Sequence, residues 1–451
     1  MSVSRKPSLT ESELRDWRLW LVLGVAAFAI GRDLLTRAGG LRTLLVAAAA
    51  VLTAGGAGTW LALRHRRDQG FPTKATAALI GQLPAGSRPP RLQSISQDGE
   101  NWELAWRLPD RRLGAPIVQK VEEIGQDLDA EVRIWLDRRG VLMRAGTAVI
   151  PEVVAYDEFY RQHQQPAGEL VVGLGESRWG PQWADLVELP HLLVAGTTNF
   201  GKSVMVRQML SRLVTRYPLT HLRLALVDFK RVELNLFEGL PQVMPPEGQA
   251  GALSVARDIK SYLVLLQVLN EALNERTASF EQAAVENLQT WNRRAMPSAQ
   301  LPYVVLAIDE LAEVSVEEAL DAEDKKLRSE ALALLSRFCR LGRALGFHLI
   351  AATQRPAADT VPGPIKSQLP ARIGFNVPSG LESRIIFGEE NSAAGRLPPR
   401  QGLGIWQWGE PVVFQGILLE RDAARSLLSQ AMAQEASDGD FALTTQGDST
   451  T

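Results

Sequence analysis

Gly196, Thr197, Thr198, Asn199, Phe200, Gly201, Lys202 and Ser203 spell G-x-x-x-x-G-K-S, the feature that most restricts how this chain can fold. The short apolar run His191 to Ala195 (HLLVA) precedes them and a helical pattern from Val204 to Arg216 follows, the strand–loop–helix setting the motif needs. Glycines let successive backbone N–H groups turn inward, and the helix N-terminus adds partial positive charge. Lys202 is expected to reach the β- and γ-phosphates of a nucleotide, and the Ser203 hydroxyl to ligate Mg²⁺. The plainer alternative, a structural glycine turn, does not call for those flanks.

About a hundred residues on, Tyr303 to Ile308 (YVVLAI) runs into Asp309 and Glu310. A continuous apolar run suits a buried parallel strand, and it delivers two acids at its carboxyl end, where open α/β sheets bind ligands. Asp309 is expected to hold the Mg²⁺ shell and Glu310 to polarise the attacking water. Leu222 to Val227 ends similarly at Asp228, and His348 to Ala352 ends at Thr353 and Gln354. Gln354 is read as a γ-phosphate sensor, with a simple strand cap as the alternative. Strands alternating with helices predict an α/β, P-loop αβα core.

Composition sets the surroundings. One cysteine, Cys339, permits no internal disulfide, and five separated histidines form no ligand cluster. The net charge of −2 hides ten basic against five acidic residues in the first seventy, so nucleic-acid binding would need a local patch in a mildly acidic remainder. Leu44 to Leu63 has 20 uncharged residues, enough to span a bilayer as a helix. Leu19 to Gly31 is a shorter second span, extended by Leu34 and Leu35 if Arg32 and Asp33 snorkel. A signal peptide ending near Ala27-Phe28-Ala29 is its alternative. Arg5, Lys6, Arg15 and Arg18 before the pair and Arg64, Arg66 and Arg67 after it favour a hairpin with both ends in the cytoplasm.

Four regions are therefore expected. Residues 1–70 form a two-helix membrane anchor and 71–170 a small α+β adaptor without catalytic residues. Residues 171–425 form the motor, and 426–451 a flexible polar tail. The adaptor's hairpin turns are placed at Asp98-Gly99 and Arg139-Gly140, with a helix over Ile117 to Leu128.

Several ordered segments resemble the FtsK/SpoIIIE family of DNA translocases. They are HLLVAGTT from His191, GKSV from Gly201, LPYVVLAIDELAE from Leu301 and RALGFHLIAATQRP from Arg343. The similarity runs from about Gly168 to Glu420. It implies a RecA-like, ATP-driven motor that assembles as a homohexamer and threads double-stranded DNA. Arg343 then corresponds to an arginine finger entering the neighbour's ATP site, with Arg276 as the rival candidate. Arg355 and Lys366 match positions the family uses against DNA, with surface salt bridges as the plain alternative. Asn199 and Phe200 stand where the family commonly has Gly-Ser, so Phe200 is expected to crowd the pocket. A winged-helix DNA reader does not fit after Glu420. A short anchor, an adaptor and one motor look most like the DNA pumps of conjugative elements in the inner membrane, with conjugation or secretion machinery as partners. The alternative is a type VII-like protein secretion motor; a non-hydrolysing assembly anchor is the third reading.

Overall fold

The computed structural model describes residues 70–137, 140–244, 255–354, 363–388 and 391–446. Both candidate membrane segments lie outside them. Among the described residues no helix is long and apolar enough to cross a membrane. The chain divides into two compact units, Met1–Ala145 and Gly146–Thr451.

The first unit is the expected α+β domain. Strands β1 (Arg91–Asp98), β2 (Asn101–Arg107), β3 (Glu131–Leu136) and β4 (Val141–Gly146) form a sheet in the order β1-β2-β4-β3. The β1–β2 turn falls where the sequence places it: Asp98 pairs with Asn101 across Gly99, which sits at φ 57°. Alternation along β2 buries Trp102, Leu104 and Trp106 with Leu79, Ile117, Ile124 and Met143. The expected single helix is two, α1 (Gly114–Gln119) and α2 (Val121–Leu128), because Lys120 leaves helical backbone at φ −105°, ψ 25°.

The second unit is built on one large sheet. Its strands are β5 (Val154–Ala155), β6 (Val171–Ser177), β7 (Gly180–Asp185), β8 (His191–Ala195), β9 (Leu222–Val227), β10 (Val255–Ala256), β11 (Tyr303–Ile308), β12 (Phe347–Thr353), β13 (Ala371–Phe375), β14 (Leu403–Trp408) and β15 (Glu410–Leu418). The order is β10-β9-β11-β12-β8-β13-β14-β15-β6-β7, with β5 beside β15. From β10 to β13 the pairings are parallel; from β13 to β7 they are antiparallel. Strands β8 and β11 are buried at every residue, as a parallel sheet covered on both faces requires. The helices are α3 (Tyr156–Gln162), α4 (Lys202–Arg216), α5 (Ile259–Gln282), α6 (Leu288–Arg294), α7 (Ala322–Leu345), α8 (Gly363–Lys366), α9 (Gly380–Phe387) and α10 (Arg421–Gln446). The direction of each crossover, with right-handed connections, puts α4 on one face and α5 and α7 on the other. Two of these boundaries have clear stops. A capping box between Asp258 and Ser261 starts α5, and Gly346 at φ 80° ends α7.

Two regions differ from the expected division. Residues 146–170, assigned to the adaptor, belong with the motor: β5 pairs with β15, and Phe159 of α3 packs on Ile417 and Leu419. Residues 426–446, expected as a flexible tail, continue α10, in keeping with the alanines spread along that stretch.

Two histidines are buried in this sheet at the ends of β8 and β12 remote from the phosphate loop. His191 Nε2 donates to the Cys339 carbonyl at 2.8 Å while its Nδ1 accepts from Leu349 N–H at 3.1 Å, a pattern that needs neutral imidazole. Burial pushes His191 down to about 4 and His348 to about 3; the Arg343 charge lowers both, and Arg276 further lowers His348. Both values lie below the unfolded value near 6.5, so the unfolded chain binds more protons between them. Stability is full above about pH 6.5 and is lost as pH falls toward 4, by up to about 1.4 kcal/mol per pH unit for each histidine. The thermal midpoint of the motor unit should fall steadily from pH 6.5 to 4.5, and less steeply in a His348→Phe variant.

Candidate nucleotide-hydrolysis site

The phosphate loop leaves β8 in the middle of the sheet, between β12 and β13. Gly196 at φ 150°, Asn199 at 69° and Gly201 at 116° give the loop three left-handed or related turns. Asn199 thus takes the backbone that glycine commonly supplies, and asparagine tolerates it. A side chain at Gly201 would be strained by the φ of 116° and crowded, since a Cβ would lie 3.2 Å from Gly402 Cα and 3.3 Å from the Phe375 ring. Thr197 fastens the loop to the Asn376 carbonyl through N–H and hydroxyl, at 3.3 and 3.0 Å. Phe200 is half-buried with its ring against the core, and its carbonyl accepts from Gly402 N–H at 3.0 Å. Helix α4 then starts at Lys202 with no acidic residue in its first turn, leaving its N-terminal N–H groups and partial charge for an anion.

Opposite the loop, β11 ends in Asp309 and Glu310, both buried. One strand, β12, stands between β8 and β11, so Lys202 reaches across it: its Nζ lies 2.9 Å from the Asp309 carbonyl and 3.4 Å from Oδ1. Burial raises the Asp309 carboxyl above the usual carboxylate range, Lys202 pulls it back, and Asp228, Glu310 and Glu233 raise it further. Glu310 accepts from the Gln354 backbone N–H at 3.0 Å through Oε1, and at 3.2 Å through Oε2. The Gln354 side-chain oxygen accepts from the Thr198 hydroxyl at 3.3 Å, closing a path from phosphate loop to acid pair.

The structure therefore brings Gly196, Thr197, Thr198, Asn199, Phe200, Gly201, Lys202, Ser203, Asp309, Glu310 and Gln354 to one sheet edge. Arg276 and Arg343 lie elsewhere and separate cleanly. Arg276 is buried, donates to the Leu345 and Pro302 carbonyls at 2.7 Å each, and stacks over Phe347 at 4.5 Å; it is part of the core. Arg343 is exposed in the last turn of α7, at the amino end of β12, about 20 Å of strand away from its own phosphate loop. Lys366, at the end of α8, is half-buried and outside the cluster; Arg355 lies outside the described residues. One member was not anticipated. Lys230, in the turn after β9, places Nζ 2.9 Å from Glu310 Oε2.

A phosphate loop on a central strand, its lysine beside a buried Asp-Glu pair two strands away and a polar residue at the end of the intervening strand define a P-loop ATPase of RecA-like αβα build. Residues 157–358 match the FtsK/SpoIIIE family. The DNA translocase SpoIIIE of Bacillus subtilis is 32% identical over 393 residues, covering 82% of this chain and 45% of that protein. The DNA translocase FtsK of Helicobacter pylori strain J99 is 32% identical over 232 residues, 51% of this chain and 26% of that protein. The chain thus spans less than half the length of these relatives. Among solved structures, the pCW3 conjugation coupling protein TcpA superposes with a TM-score of 0.53 at 24% identity, over 79% of this chain and 98% of that one. ATPases 2 and 3 of EssC from Geobacillus thermodenitrificans give 0.50 at 16% identity, over 64% and 51%. At these identities the likeness is one of fold.

Proposed function

We propose that this protein is a membrane-anchored motor of the inner membrane that couples ATP hydrolysis to movement of double-stranded DNA, as a homohexameric ring. The observation that carries the reading is the similarity of 82% of the chain to a DNA translocase, supported by a phosphate loop whose Lys202 lies beside Asp309. The build, an adaptor and one motor module spanning nearly all of the TcpA chain, favours conjugative or plasmid transfer and a conjugation apparatus as partner.

In this reading the loop N–H groups of residues 196–203 and the α4 N-terminus hold the triphosphate, and Lys202 moves from Asp309 to the β- and γ-oxygens. Ser203 and Asp309 would hold a divalent ion, and Mg²⁺ would supply charge neutralisation on the phosphates. Glu310 takes the proton of the attacking water, Gln354 reports the γ-phosphate to the acid pair, and Arg343 of a neighbouring copy stabilises the transferring phosphoryl group. Lys366 and Arg355 contact phosphates of the duplex, which gives affinity without sequence preference.

The test is ATP hydrolysis by the full chain with and without long double-stranded DNA, beside a Lys202→Ala control. Several-fold stimulation that disappears in the control is expected. Lys202-dependent turnover indifferent to DNA would instead point to a protein-translocating motor of the type VII kind.

A further inference from the structure

Glu310 is held by two neighbouring groups. Its Oε2 accepts from the Lys230 ammonium at 2.9 Å, and the Gln354 backbone N–H spans both of its oxygens. These contacts occupy three of the roughly four acceptor positions of a carboxylate. With the ammonium on Oε2 and the Gln354 N–H across both oxygens, an attacking water reaches Oε2 only by displacing Lys230. The two partners differ in freedom: the Glu310 side chain is 3% exposed and that of Lys230 is 36%, so Lys230 can leave while Glu310 stays.

The turn that carries Lys230 is built to aim it. Asp228, fully buried at the end of β9, accepts from Leu234 N–H at 2.9 Å and Val232 N–H at 3.3 Å. Arg231 adopts left-handed backbone at φ 56°, a conformation that costs a residue of this type free energy and holds only where the surroundings impose it. Beyond it, Glu233 is anchored by Arg207 at 3.6 Å and Arg421 at 3.9 Å. The tip between these anchors, Lys230 to Val232, is exposed and offers two adjacent cations.

We propose that Lys230 is a gate on the hydrolytic carboxylate: paired with Glu310 it holds turnover down, and a polyanion drawn to the Lys230–Arg231 tip releases it. Identifying that polyanion as duplex DNA rests on the function proposed above; the restraint on Glu310 does not. The gate supplies a physical reason for turnover to wait for substrate, since idle hydrolysis requires breaking a contact that DNA phosphates would compete for.

The experiment compares wild type, Lys230→Met and Lys230→Arg in ATP turnover, with and without long double-stranded DNA. Lys230 is exposed, and methionine keeps its stem, so folding is preserved and a thermal midpoint checks it. The expected result is a several-fold rise in DNA-free turnover for Lys230→Met, with the ratio of DNA-stimulated to free turnover falling toward one. Lys230→Arg should retain the wild-type pattern. A fall in DNA-free turnover in Lys230→Met would make Lys230 a helper of the chemistry and overturn the gate, as would no change. If wild-type turnover ignores DNA while Lys230→Met still rises, the gate stands and the choice of DNA as its trigger fails.

Discussion

An Arg343→Ala variant should lose about 10³-fold or more of its ATP turnover while binding ATP as tightly as the wild type. The guanidinium is exposed, and its position at the amino end of β12 keeps it away from its own phosphate loop, which follows the carboxyl end of β8. In the proposed ring it would act on a neighbour's nucleotide. That geometry carries a second consequence. Mixing inactive Arg343→Ala with inactive Lys202→Ala should restore part of the turnover, because a ring then contains junctions with an intact lysine on one side and an intact arginine on the other. Turnover rates of the two variants alone and mixed in varying ratio decide the matter. A loss below about tenfold, or no rescue on mixing, would remove Arg343 from the site. Arg276 offers no substitute, since both ends of its guanidinium are spent on carbonyls of the same chain.

Glu310→Gln should lower turnover by about 10²- to 10⁴-fold, the range set by loss of a general base, and leave nucleotide affinity intact. Glutamine keeps the shape and an oxygen for the Gln354 N–H, but it cannot take a proton from water. Its neighbour Asp309 faces Lys202 instead. Equilibrium ATP binding measured beside single-turnover hydrolysis separates the two effects. Weak binding in Glu310→Gln would mean that the carboxylate holds the site together instead of acting on water.

What could be read from residues alone follows a physical line. The runs HLLVA and YVVLAI are strands because both faces of a parallel sheet are dry, so no polar position interrupts them; the motifs at their ends then fall at one edge. The antiparallel half was hidden by the opposite property. In β6, Gly173 and Gly175 break any alternation, and Gly175 is required because a Cβ would lie 1.9 Å from the Gln415 carbonyl on β15, a contact across some 240 residues of chain. The motor's true start near residue 146 was equally invisible, since a two-residue strand pairing with β15 leaves no periodicity. Burial separated Arg276 from Arg343, two arginines near helix ends that look alike in sequence. Lys230 is a matter of turn geometry: nothing but the fold of Asp228 to Leu234 aims it at an acid 80 positions away. Phe200, expected to crowd the nucleotide, is half-buried with its ring against the core.

The most direct test of a DNA-moving motor is displacement of a third strand from the end of a long duplex by the full chain with ATP. Displacement that requires Lys202 and stops when ATP hydrolysis stops is the expected result. Vigorous Lys202-dependent hydrolysis in the presence of the duplex, with the third strand left in place, would contradict it.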